Sequence, residues 1–185
     1  HLTIANAVAA GAGHDRLPTA DAEGSGLSKH LTALHDAALT PHDITWVRDV
    51  TELPVLVKGI VRGDDAVRAM NHGAAGVVVS NHGGRQLDTA LASARALPEV
   101  VDALAGSGEV YVDGGIRRGT DVVKAITLGA RAVMVGRPPL WGLAAGGERG
   151  VVEVLAHLRH EFDLAMSLSG CRSVVELTRD LVVDA

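Results

Sequence analysis

Four short apolar runs set the rhythm of the chain, and each closes on a polar side chain. They are Leu53-Pro54-Val55-Leu56-Val57-Lys58-Gly59, Gly76-Val77-Val78-Val79 continuing to His82, Glu109-Val110-Tyr111-Val112-Asp113 continuing to Gly115, and Arg131-Ala132-Val133-Met134-Val135-Gly136-Arg137. Their length and β-branched content predict buried strands. Between them apolar positions recur at helical spacing. They predict helices over residues 64–72 closed by Gly73, 98–105 with Gly106 past the end, and 120–128 ending at Gly129. Strands alternating with helices of this length predict an α/β protein built from βα units around a parallel sheet.

Upstream, Thr40-Pro41 has the form of an N-cap followed by proline at the first helical position. It opens a helix that buries Ile44 and Val47, with Trp46 or Val50 at its margin. Downstream, Val151, Val154, Leu155, Leu158, Phe162, Ala165 and Leu168 share one face of a helix over residues 150–169. Ser173-x-x-Glu176 then forms a capping box that opens a short final helix containing Leu177 and Leu181. The first forty residues differ. Gly11-Ala12-Gly13, Leu17-Pro18 and Glu23-Gly24-Ser25-Gly26 mark a segment too long for a routine connection, the kind that serves as a lid or stays disordered.

Parity along the strands adds a direction. If Lys58 points to one face of the sheet, Leu56 joins it while Val55 and Val57 face the helices. Ser80 and His82 likewise share a face with Val78, leaving Val77 and Val79 to the helices. An apolar outer face with polar groups only at the top of the inner face fits a barrel; an open sheet has the same parity. In either architecture the C-terminal edge of the strands is where ligands bind, and it gathers Lys58, His82, Asp113 and Arg137.

Composition narrows the partners. The only aromatics are Trp46, Tyr111, Trp141 and Phe162, so the core is aliphatic and no platform for stacked bases is present. With 17 basic against 22 acidic residues and no basic block, nucleic-acid binding is not expected. A single cysteine, Cys171, excludes an internal disulfide and fits a small buried hydrophobe in a reducing, cytoplasmic setting. No apolar run reaches the ~18 residues of a spanning helix, and no signal peptide is visible. The chain opens on His1 in mid-pattern, which predicts a piece of something longer. His157 and His160 lack a third ligand nearby and read as a solvated helix face, so no metal site is expected.

The chemistry concentrates in two places. Ser80-Asn81-His82-Gly83-Gly84-Arg85-Gln86-Leu87-Asp88 follows the second strand, and its glycines let the backbone turn sharply so that Arg85 folds back beside the His82 imidazole. A base next to a fixed cation suits proton removal from an anionic substrate, whereas a tight turn with an incidental histidine is the plain alternative. Asp88 either orients Arg85 or caps the loop. The last two βα loops, Asp113-Gly114-Gly115-Ile116-Arg117-Arg118-Gly119 and Gly136-Arg137, combine glycine with arginine. Glycine lets backbone N–H groups approach an anion and arginine offers forked donors to phosphate, at the place where eight-stranded βα barrels recurrently bind it.

Together LPVLVKG, SNHGGRQLD, DGGIRRG and GRP, in this order and spacing, resemble the C-terminal half of the FMN-dependent 2-hydroxy acid oxidase and dehydrogenase family, over residues from about 40 to about 181. The resemblance implies a (β/α)8 TIM barrel of which this chain supplies strands five to eight. Residues 1–39 would be the mobile lid loop after strand four, and residues 40–185 the C-terminal half of one FMN-binding domain. It implies that His82 is the catalytic base, that Arg85 holds the substrate carboxylate, and that Lys58 and Ser80 sit by the flavin. Asp113 would bind the ribityl chain, while Gly114, Gly115, Arg117, Gly136 and Arg137 hold the phosphate.

The implied reaction takes a 2-hydroxy acid to the 2-oxo acid, with oxygen or another acceptor reoxidising FMN. Whether His82 takes the hydroxyl or the α-proton stays open. The Ala- and Gly-rich lid resembles that of mandelate and hydroxymandelate oxidisers, which points to an aromatic substrate. The implied partners are the N-terminal half-barrel, which carries the aspartate that pairs with the histidine and a second carboxylate-binding arginine, and further copies in a homo-oligomer. Other readings of the motifs are an FMN barrel of the type 2 isopentenyl diphosphate isomerase kind, or a phosphate-binding half-barrel without catalysis. After Asp88 the sequence Thr89-Ala90-Leu91-Ala92-Ser93 departs from the family's usual proline-containing stretch.

Overall fold

In the computed structural model the apolar runs pair in sequence order as a four-stranded parallel sheet. Its strands are β1 (Leu56–Ile60), β2 (Gly76–Val79), β3 (Glu109–Asp113) and β4 (Ala132–Met134). Helices α1 (Pro41–Asp49), α2 (Gly63–Asn71), α3 (Ser93–Leu104), α4 (Gly119–Thr127) and α5 (Arg137–Leu168) alternate with them, followed by the 3-10 turns Val174–Glu176 and Arg179–Leu181. The structure describes residues 36 and 38–183, and the chain divides into two units, His1–Thr40 and Pro41–Ala185. The lid assigned to residues 1–39 lies, but for residues 36, 38 and 39, outside the described residues.

The outward face of the sheet builds the core. Val77, Val79, Val110 and Val112 are buried against Ala66 and Ala69 of α2, Ala96, Leu97, Val100 and Leu104 of α3, and Ala125 of α4. Each such valine contributes roughly 1.5–3 kcal/mol of burial. On the inward face Val78 and Ser80 are buried, whereas Leu56 on one edge strand and Met134 on the other are 43% and 45% exposed. Strand parity is as expected, with Val77 and Val79 against the helices and Lys58 and Ser80 sharing the other face.

Several boundaries move, each for a physical reason. β1 starts at Leu56, leaving out Leu53, Pro54 and Val55, since proline has no N–H for the ladder. β2 ends at Val79, so His82 lies beyond the strand, in the 3-10 turn His82–Gly84. β4 ends at Met134, and Arg137 opens α5, because prolines at the next two positions suit a helix's first turn. α3 begins at Ser93 and carries Pro98 inside it; burial of Ser93, Ala96, Leu97, Val100 and Leu104 outweighs the one helical bond a proline removes.

The expected helix over residues 150–169 is the second arm of α5, whose first arm precedes a break at Gly146 and Gly147; the φ +60, ψ −144 of Gly147 suits glycine alone. Of its apolar face Leu158 is buried, whereas Leu155 and Leu168 are exposed. Around Ser173 the chain makes 3-10 turns in place of a helix. The Glu176 carboxylate accepts from the Arg172 N–H at 3.0 Å and the Ser173 hydroxyl at 3.1 Å, which closes the turn on itself. Leu177 is buried and Leu181 exposed. α1 buries no residue fully: Ile44 is half-buried, and Trp46, Val47 and Val50 are exposed.

Candidate active site

Lys58 stands one residue before a bulge. The β1–β2 register slips between Lys58 and Ile60, and the intervening Gly59 has φ +104, a conformation favouring glycine. The Lys58 ammonium donates to Ser80 Oγ at 2.7 Å and pairs with Asp113 Oδ2 at 2.7 Å, so three successive strands meet through it. Ser80, 2% exposed, also accepts from the backbone N–H of His82 at 3.1 Å. The other oxygen of Asp113, Oδ1, is buried without a hydrogen-bond partner among the described residues. An acceptor left free at a strand's C-terminal end is placed to take a hydrogen bond from a ligand or a water.

His82, Gly83 and Gly84 have φ of 57°, 65° and 73°. For a non-glycine residue the left-handed conformation costs roughly 1–2 kcal/mol, so the His82 backbone is held by its surroundings. Asn81 does much of that holding. Its Oδ1 accepts from Gly84 N at 3.3 Å and its Nδ2 donates to Leu91 O at 3.3 Å, while its own N–H reaches Ser93 Oγ at 3.3 Å. From the other side Arg137 donates to Gly83 O at 2.6 Å. The His82 and Arg85 side chains are exposed along the rim. Asp88 accepts from the N–H of Thr89 at 2.9 Å, a loop-capping contact.

Two hollows flank this turn. One, of about 520 Å³, is bordered by His82, Arg85, Asp113, Gly114, Gly115, Arg117, Gly136, Arg137 and Trp141, among others. The second, of about 510 Å³, is bordered by Lys58, Ser80, Asn81 and His82 with Gln86 and Leu87. Every residue expected at the site therefore lies on one of the two, and His82 lies on both. Gly115 and Gly136 have open space where a side chain would be, leaving backbone accessible to a ligand. Of the successive arginines, Arg118 donates to Glu161 Oε1 at 2.8 Å, whereas the Arg117 guanidinium lies 5.9 Å from the Trp141 ring centroid. The Glu161 carboxyl is held below the usual carboxylate range, chiefly by the N–H of Gly119 and then by Arg118.

Residues 2–184 match the family of FMN-dependent dehydrogenases. The chain belongs to that family. It is 54% identical to 2-hydroxyacid oxidase 1 of Mus musculus over 160 residues, 86% of this chain and 43% of that protein. It is 52% identical to the L-lactate oxidase of Nostoc sp. over 161 residues, 87% of this chain and 44% of that one. A mandelate oxidase solved with (S)-4-hydroxymandelic acid superposes with a TM-score of 0.79 at 51% identity, covering 84% of this chain and 43% of that structure. The chain thus spans less than half the length of these relatives. It corresponds to their C-terminal part and supplies half of a (β/α)8 barrel.

Sequence reasoning placed Asn81 in the sharp turn without giving its side chain a role, and did not single out Ser93 or Trp141. Asn81 carried a signal, since asparagine at the start of a turn commonly bonds its side chain to the backbone a few residues on. Ser93 and Trp141 act across loops and left none.

Proposed function

We propose that the protein containing this chain oxidises a 2-hydroxy acid to the 2-oxo acid with FMN, with oxygen or another acceptor taking up the electrons. The observation that carries this reading is the shared rim: an exposed imidazole, the nearby Arg85, and Arg117 and Arg137 border one hollow. Bound FMN would supply a two-electron acceptor. The residues fit it, because Asp113 Oδ1 is a buried acceptor awaiting a hydroxyl donor and the open glycines leave backbone N–H groups accessible to a phosphate. Arg117 and Arg137, with Gly114, Gly115 and Gly136, would hold the phosphate; Asp113 the ribityl chain; Lys58 and Ser80 the ring.

Arg85 orients the substrate by offering forked donors to its carboxylate. His82 takes, as a proton, one of the two hydrogens that the substrate's H–C–O–H unit loses, the strained turn holding its ring on the rim. Lys58, fixed by Ser80 and Asp113, places a positive charge beside the reacting centre, where negative charge develops. We further propose an aromatic substrate, which the similarity to mandelate oxidase supports. A cytoplasmic location is supported by the lone buried Cys171, and a homo-oligomer by apolar side chains such as Leu143 and Val152 exposed on α5.

The test is spectroscopic. The intact purified protein should carry a flavin spectrum that anaerobic mandelate bleaches faster than lactate or glycolate. His82→Asn should keep the flavin and slow the bleaching by about 10²-fold or more. A protein that stays colourless after reconstitution, or a variant reduced at the parent rate, contradicts the reading.

A further inference from the structure

We propose that Trp141 is a positioning residue for the cofactor's phosphate, acting through Arg117; the inference rests on the FMN reading above. The loop after β3 holds two successive arginines and disposes of them differently. Their backbone N–H groups both donate to Asp121 Oδ2, at 3.0 and 2.9 Å, which fixes the loop. The Arg118 side chain is then drawn to Glu161. The Arg117 side chain is left on the hollow, where its guanidinium lies over the Trp141 ring at 5.9 Å.

A cation–π contact suits an anion site for a chemical reason. The ring face attracts the cation without accepting its hydrogen bonds, so the N–H donors around the guanidinium edge stay available to phosphate oxygens. A carboxylate partner would instead occupy those edge donors, as Glu161 does for Arg118. Trp141 therefore restricts a long, rotamer-rich side chain without consuming what it donates. The ring is itself set by the first arm of α5, one helical turn beyond Arg137, so one helix start places both cations toward the same hollow. The indole is 52% exposed there, so its ring stays within reach of the hollow.

The phosphate contact separates FMN from riboflavin, which has the same ring and no phosphate. Both flavins are titrated into the intact protein stripped of its cofactor, following quenching of flavin fluorescence. Trp141→Leu should weaken FMN binding about three- to tenfold, the size of a partly exposed cation–π contact, and leave riboflavin binding unchanged. Trp141→Phe, which keeps a ring, should retain most of the affinity. Arg117→Leu should weaken FMN at least as much, and the double variant no further than Arg117→Leu alone, since the two act as a unit. Equal weakening of FMN and riboflavin by Trp141→Leu would overturn the proposal by showing a ring contact or a folding role. An effect of Arg117→Leu without one of Trp141→Leu would overturn it while leaving the phosphate site standing. No effect of Arg117→Leu would sink both.

Discussion

The guanidinium of Arg137 donates to the carbonyl of Gly83 at 2.6 Å, joining residues 54 apart in sequence. One end of that contact belongs to the loop assigned to phosphate and the other to the strained turn that presents His82. Arg137 therefore has two duties, and removing it should show both. For Arg137→Met we expect weaker FMN binding and, at saturating FMN, flavin reduction slowed about tenfold. That factor corresponds to the roughly 1–2 kcal/mol held in a left-handed non-glycine residue. Arg117→Leu should show the first effect without the second. Stopped-flow reduction across a range of FMN concentrations separates them, and an unchanged saturated rate in Arg137→Met would confine the residue to binding.

Much of this arrangement was legible in the chain because it is written in local terms. The Val77-Val78-Val79 run needs no neighbour to be recognised as a buried strand, and glycine after histidine announces a turn whatever lies around it. Events that depend on distant packing were not legible. Pro98 looked like a helix start because nothing nearby says that Ala96, Leu97 and Val100 are already buried against the sheet. Arg137 looked like the end of a strand because a run of apolar residues does not mark where pairing stops; the β3–β4 pairing ends at Asp113 and Met134. The motif residues of the site could be named in advance. The Lys58–Asp113 pair, the Arg137–Gly83 contact and the Arg117–Trp141 cation–π contact could not, because each joins segments that only the fold brings together.

Glu161 reaches from α5 to the start of α4, accepting from the Gly119 N–H at 2.9 Å and from Arg118. These bonds, the Gly119 N–H foremost, hold its carboxyl below the ordinary range. A lowered folded-state value stabilises the fold at pH above the unfolded value of about 4.3, and that contribution fades as pH falls through it toward the folded value. Glu161→Gln should therefore lower the melting temperature at pH 7, and the gap to the parent should narrow below about pH 4. Thermal melts across that range read it directly. A gap that widens on acidification would mean that the carboxylate is not the stabilising form.

Gly119 also marks where α4 and α5 touch. A methyl group there would fall into the backbone of Glu161 and Phe162, which cannot swing aside as a side-chain tip can. Gly119→Ala should destabilise by about 1–3 kcal/mol or more. Gly146→Ala, with open space around it and only its backbone angles (φ −149, ψ 20) to resist a side chain, should cost clearly less, about 1 kcal/mol. Denaturant unfolding of the two variants beside the parent tests the contrast, and similar losses would show that the helices can separate at low cost.

Asp113 offers a way to tell a group kept for ligand binding from one kept for the fold. Its Oδ1 is buried without a partner, which costs about 1–3 kcal/mol, while the pair with the 43% exposed Lys58 returns no more than about 1 kcal/mol. Without cofactor the carboxylate is then neutral to unfavourable for stability. Asp113→Ala should leave the melting temperature of the flavin-free protein equal or higher. A ligand hydroxyl donating to Oδ1 would turn that cost into binding, so FMN should raise the melting temperature of the parent more than that of the variant. Melting curves of both proteins with and without FMN decide it. A flavin-free variant that melts several degrees lower, with an undiminished response to FMN, would make Asp113 a structural residue and leave the orphaned oxygen without a ligand to meet.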